Sequence, residues 1–158
     1  MTEIYDTLSN LHINYEKYEH DAVYTVDEAA ALKVNMRGVH TKNLFLRDNK
    51  GKRHFLIVAP AEKEIALKAI SDRIGAKRLG FASQERLKKY LGIDPGAVSP
   101  LAIINDLKNE VELYFDSSLQ DKEIQCHPLV NTETIVISMS NIKIFAQKTG
   151  HEILFVDL

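Results

Sequence analysis

The chain has 158 residues, close to the length of one ordinary domain, and 45% of them are apolar against 27% charged, the balance of a globular protein that folds without staples. Its formal charge of −2, from 20 basic and 22 acidic residues, excludes a protein that coats nucleic acid through bulk charge, and leaves open a local basic patch on one RNA end. The longest apolar stretches, such as Phe55 to Pro60, fall far short of the ~18 residues a membrane helix needs. The acidic start, Met1-Thr2-Glu3-Ile4-Tyr5-Asp6, has no basic region of a secretory signal, and one cysteine fits a reducing compartment. A cytoplasmic location is the expectation.

In chain order, Ile4, Leu8 and Leu11 recur at helical spacing and predict a first helix over Glu3 to Asn10, followed by an alternating strand over Asn14 to Glu19. Thr25-Val26-Asp27-Glu28 is a capping-box pattern opening a helix through Ala29, Ala30, Ala31 and Leu32. Thr41 to Arg47 and Arg53 to Ala59 are β-prone runs around Asp48-Asn49-Lys50-Gly51, which predicts a hairpin. Leu67, Ile70 and Ile74 mark a helix that stops at Gly75. Ser83 caps a further one with Leu87, Tyr90 and Leu91 inward and Gly92 at its end.

Val111, Leu113 and Phe115 alternate with Glu112, Tyr114 and Asp116, the pattern of a strand wet on one face. Thr134 to Ile137 reads as a strand, Ile142, Phe145 and Ala146 as a helix ending at Gly150, and Ile153 to Val156 as a closing strand. No linker or repeat interrupts the chain, so residues 1–158 are expected to form a single α+β domain rather than a doubly wound sheet.

The familiar catalytic motifs are missing: there is no G-x-S-x-G, Walker loop, G-x-G-x-x-G or H-E-x-x-H, and the six histidines show no metal-ligand spacing. Cys126 beside His127 invites a thiol nucleophile, but neighbours on an extended segment point to opposite faces, so Cys126 is read as structural. Lys42 shares a strand face with Leu44 and Leu46. An ammonium there either snorkels to water or meets an anion in a cleft, and spacing alone leaves both readings open. Pro128 keeps His127 out of helical geometry, which suits a hydrogen-bonding or proton-relaying imidazole as well as a merely satisfied one. Asp94-Pro95-Gly96 is a turn signal that also brings a backbone N–H within reach of a ligand.

Thr41-Lys42-Asn43-Leu44-Phe45, then Gly96-Ala97-Val98-Ser99-Pro100 with Asn105-Asp106, then His127-Pro128-Leu129-Val130-Asn131-Thr132 resemble, in order and spacing, the bacterial prolyl-tRNA editing domains, the YbaK/ProX-like deacylases. The capping-box helix upstream and Thr149-Gly150-His151-Glu152 near the end agree, so the resemblance spans about residues 3 to 158. Lys42-Asn43-Leu44-Phe45-Leu46-Arg47-Asp48 and Val98-Ser99-Pro100 are most similar to the free-standing alanyl-tRNA(Pro) deacylases.

The resemblance implies a mixed, barrel-like β-sheet flanked by helices, no metal and no cofactor. It implies a trans-acting hydrolase that takes alanine from the acceptor end of tRNA(Pro), with prolyl-tRNA synthetase as an implied partner and neither DNA nor membrane involved. Lys42, Gly96 and His127 occupy the positions of the characteristic site residues, with Asn43 beside them. Asn131 is assigned to substrate binding, and Leu44, Leu46, Val98, Ser99 and Pro100 to a wall that excludes the larger prolyl group. Val130 and Glu133 depart from many relatives. Lys50, Lys52, Arg53, Lys77, Arg78, Lys88 and Lys89 are candidates for a tRNA-docking rim. Two alternatives stand beside this reading: the same reaction on cysteinyl-tRNA(Pro), and a non-catalytic module that binds aminoacyl-tRNA.

Overall fold

The hairpin at the centre of the chain sets the architecture. In the computed structural model, which describes residues 2–21 and 36–158, β2 (Thr41–Arg47) and β3 (His54–Pro60) pair antiparallel from Thr41↔Pro60 to Arg47↔His54. The Asp48 carboxylate closes the turn by accepting the N–H groups of Lys52 (2.9 Å) and Arg53 (3.2 Å). The helix expected from the capping box at Thr25 to Glu28 lies outside the described residues.

Around this hairpin the other elements are α1 (Thr2–Asn10), β1 (Glu16–Glu19), α2 (Leu67–Ile74), β4 (Gly80–Phe81), α3 (Gln84–Leu91), β5 (Val111–Asp116), β6 (Glu123–Cys126), β7 (Glu133–Ser138), α4 (Met139–Thr149) and β8 (Ile153–Val156). They form a five-stranded mixed sheet, ordered β4-β2-β3-β5-β8, and a three-stranded antiparallel sheet, β1-β7-β6. The pairs β3–β5 and β5–β8 are parallel. The sheets are stitched at one corner by a bridge between Val39 and Ile124, and the Thr41 hydroxyl donates to Gln125 O at 3.0 Å. The expected α+β class is observed, as two joined sheets rather than a closed barrel.

Two cores follow from the period-2 alternation of the large sheet. Phe45, Leu56, Val58, Leu113 and Phe115 face the small sheet together with α1, α3 and α4. Leu46, Phe55, Ile57 and Tyr114 face α2 through Ile70. Burial on both faces explains the unbroken apolar run of β3, and each such side chain contributes roughly 1.5–3 kcal/mol of transfer free energy.

The expectation that Val111 to Asp116 is wet on one face is corrected. Tyr114 and Asp116 are buried, because β5 lies between two parallel neighbours and is covered on both sides. The polar atoms there are satisfied internally: the Tyr114 hydroxyl donates to Glu112 (3.0 Å), and Asp116 accepts from Lys63 Nζ (3.0 Å), Leu158 N–H (3.0 Å) and the Ser118 hydroxyl.

Candidate active site

Gly92 ends α3 in the left-handed conformation (φ 64°), where a Cβ would be strained and would also approach Asn105 Nδ2 at 3.1 Å. The Asn105 amide uses that space to donate to Leu91 O at 2.8 Å, which ties the following loop to the helix end. Pro95–Ala97 then makes a 3-10 turn, closed by Ala97 N–H to Asp94 O at 3.0 Å. The turn leaves Gly96 exposed.

Across from it, a Cβ built on Gly96 would lie 3.1 Å from Asn131 Nδ2. Gly96 therefore gives the Asn131 amide room to stand beside the turn's backbone. Together with Ile93, Ala97, Leu129 and Lys88 they line an open cleft of about 720 Å³.

His127 leaves β6 on the loop that carries Asn131. Its Nδ1 lies 2.8 Å from Glu133 O. A carbonyl only accepts, so Nδ1 carries the proton and Nε2 is the acceptor nitrogen of the neutral ring. Leu129 takes φ 68°, a left-handed bend that turns the loop back towards β7.

His20 braces the same loop. Its N–H donates to Thr132 O (2.9 Å), its Nε2 lies 2.8 Å from the Thr134 hydroxyl, and its ring centre is 6.2 Å from that of His127. The Glu133 carboxylate is held by the Tyr5 hydroxyl and by Lys17 Nζ at 3.6 Å. Burial, and then this carboxylate, push the Tyr5 phenol well above its ordinary value.

At the head of β2, the Thr41 contact with Gln125 sets the strand against β6 two residues before His127. Asn43 lies on the face towards the small sheet, and its buried Oδ1 has no hydrogen-bond partner among the described residues. Lys42 lies on the other face, where its ammonium donates to Lys63 O.

The residues expected to form the wall lie within or against the cores. Leu46 is fully buried in the core against α2, and Leu44 packs on that same core. Ser99 is also fully buried, and its hydroxyl accepts Leu101 N–H (3.2 Å) to cap the 3-10 segment Pro100–Asn105. Pro100 is buried with it, and Val98 packs against the first core, so this stretch braces the Gly96 turn from beneath. Cys126 is buried in the first core, as read from its surroundings in the sequence. Among the described residues no three His, Cys, Asp or Glu side chains gather to hold a metal. His20, Lys63 and Asp116 were not singled out by sequence, because nothing local marks a partner that lies tens of residues away.

The model of the aminoacyl-tRNA editing domain matches residues 20–144. The chain belongs to this family. Among its relatives, the prolyl-tRNA editing protein ProX of Acetoanaerobium sticklandii is 40% identical, over 96% of this chain and 93% of that one. The prolyl-tRNA synthetase associated domain-containing protein 1 of Danio rerio is 34% identical, over 94% and 82%. A solved structure described as a candidate trans-editing enzyme for prolyl-tRNA synthetase superposes with a TM-score of 0.71 at 18% identity, over 99% and 96%, a likeness of fold.

An aminoacyl-tRNA editing domain is a deacylase: it hydrolyses the ester that joins an amino acid to the tRNA 3′ end. The cleft offers chemistry suited to such an ester. The Gly96 N–H and the Asn131 amide supply donors for a carbonyl oxygen, and His127 stands on the loop that carries Asn131, outside the residues that line the cleft.

Proposed function

We propose that the chain acts in trans on mischarged tRNA(Pro) and releases alanine, and that it works in the cytoplasm. The observation that carries this reading is the pairing of Gly96 with Asn131 in an open cleft beside the His127 loop. The similarity to the prolyl-tRNA editing protein ProX supports the tRNA(Pro) part of it.

The need for such an enzyme is energetic. An apolar synthetase pocket separates side chains that differ by a methylene or two by only ~1–3 kcal/mol, so a prolyl site also accepts alanine. A second site that admits the small alanyl ester and sterically refuses the prolyl ring supplies the missing discrimination. Ile93, Ala97 and Leu129 form the apolar lining proposed for that sieve.

In the proposed reaction water attacks the ester carbonyl carbon, and the developing oxyanion is held by the Gly96 N–H with the Asn131 amide beside it. His127 orients the terminal ribose or the attacking water through Nε2. The carbonyl–oxygen bond to the ribose then breaks, the ribose oxygen takes up the proton, and alanine leaves as the free acid. No protein nucleophile is needed, because the ester is already activated and positioning supplies much of the rate.

Lys42 binds a phosphate of the terminal nucleotide. An ammonium has three donors, and Lys63 O uses one of them.

Titration with a non-hydrolysable amide analogue of 3′-alanyl-adenosine, followed by amide NMR, tests the site. The expected result is a set of shifts centred on Gly96, Ala97, Asn131 and His127. Shifts confined to other surfaces contradict it.

A further inference from the structure

Lys42 and Asp116 share a face of the large sheet. Lys42 pairs with Ala59 on β3, while Ile57 pairs with Tyr114 on β5, so alternation brings Lys42, Ala59, Ile57, Tyr114 and Asp116 to the side packed on α2. Lys63 bridges this row from above. Its backbone carbonyl accepts from the Lys42 ammonium, and its own ammonium lies 3.0 Å from Asp116 Oδ1.

Asp116 has no exposed surface and Lys63 is about one-third exposed, with side-chain values of 0% and 36%. A buried carboxylate is costly to leave unpaired, so Asp116 fixes the Lys63 side chain and thereby the Lys63 carbonyl. Burial alone opposes ionisation of Asp116. The Ser118 hydroxyl, the Leu158 N–H and the Lys63 ammonium outweigh it and hold the carboxyl below the usual range.

We infer that Lys63 and Asp116 are positioning residues for the reaction: their ion pair sets the carbonyl that places the Lys42 ammonium for a phosphate of the tRNA 3′ end. The inference rests on the phosphate-binding role of Lys42 proposed above. It gives a purpose to a half-buried ion pair that the hydrolytic cleft itself does not use.

The test is steady-state hydrolysis of alanyl-tRNA(Pro) by the full chain and by Lys63→Met, Lys63→Arg and Asp116→Asn, each also on a Lys42→Met background. Thermal midpoints are measured in parallel, and every assay runs well below the lowest of them. Lys63→Met and Asp116→Asn are expected to raise KM about tenfold with a smaller change in kcat, since a displaced clamp loses binding geometry. Lys63→Arg restores most of that loss, because it can still pair with the carboxylate. On the Lys42→Met background the same substitutions add less than about twofold, the mark of residues acting through one another.

An equal penalty on both backgrounds, or a lowered midpoint with unchanged KM, overturns the inference. Should Asp116→Asn fail to fold, the two variants of the partly exposed Lys63 decide it alone. A Lys42→Met enzyme with wild-type KM removes the role of Lys42 and the inference with it, whereas a Lys42-dependent KM that ignores Lys63 sinks only the inference.

Discussion

His151 Nε2 lies 2.8 Å from Asp106 Oδ2, joining the end of α4 to the loop that follows the Gly96 turn, and both side chains are almost completely buried. The same carboxylate accepts Glu110 N–H (3.0 Å) and Val111 N–H (2.8 Å), and so fixes the start of β5. Asn105-Asp106 and Thr149-Gly150-His151 thus meet as one clamp, about the distance of a single hydrogen bond apart. Asp106→Ala leaves the buried His151 Nε2 and two backbone donors unpaired, while His151 Nδ1 keeps the Thr149 hydroxyl at 2.8 Å. It is expected to cost about 3–5 kcal/mol of stability, read from urea unfolding. A loss below about 1 kcal/mol, the scale of an ordinary hydrogen bond, contradicts the clamp.

Gly96→Ala adds one methyl where the Asn131 amide stands 3.1 Å from the built Cβ. The turn is not in the left-handed region, so the backbone tolerates the change, and the cost falls on the cleft. Deacylation is expected to drop by about one to two orders of magnitude with little change in thermal midpoint. Full activity would show that the Asn131–Gly96 spacing is not used in the reaction.

His54 is buried between Phe45 and Tyr90, with ring centres 5.8 and 4.0 Å away, and its Nε2 lies 3.0 Å from Arg86 NH1. Arginine only donates, so this nitrogen accepts and the ring is neutral. Burial, and then the Arg86 charge, hold its pKa below the ordinary 6.5. The unfolded chain therefore binds the proton first, and stability present above pH 6.5 is lost as pH falls below that value towards the folded pKa. Denaturant midpoints at pH 7.5 and pH 5.5 are expected to show the decline, and His54→Gln is expected to shrink it.

His127→Asn keeps a side-chain N–H for Glu133 O and removes the Nε2 acceptor. If Nε2 orients the reacting groups, this variant loses turnover by about 10²-fold, the scale of a misplaced reacting group. Wild-type turnover would reduce His127 to a structural brace of its loop.

Local pattern was the most legible part of the fold. The strand Thr41 to Arg47 has the predicted limits, since alternation and a Gly-containing turn fix both ends of the hairpin arm. The helices ending at Gly75, Gly92 and Gly150 stop where the left-handed residue sits. The strand that the extended stretch at His127 leaves is β6, whose limits stay unmarked because Glu123 and Gln125 dilute four residues, and β4 is illegible because two residues carry no period. The wet-face reading of Val111 to Asp116 failed because alternation cannot tell solvent from an internal carboxylate partner such as Lys63.

The site divides in the same way. Gly96 and Asn131 were marked by motif, and they do share a cleft. Leu46, Ser99 and Pro100 carry the same motif weight but are buried, Leu46 in the core against α2 and the other two at the head of the 3-10 segment that follows the Gly96 turn. The contacts Lys42–Lys63, Lys63–Asp116 and Asp106–His151 span 21, 53 and 45 residues, and no local signal announces them.

The most direct measurement is hydrolysis of alanyl-, cysteinyl- and prolyl-tRNA(Pro) by the purified chain, with Lys42→Ala beside it and a chelator present throughout. The account predicts rapid loss of alanine alone, with the rate cut about 10²-fold by Lys42→Ala and a residual turnover still measurable. Preferential release of cysteine, or hydrolysis of prolyl-tRNA(Pro) at a comparable rate, would contradict it.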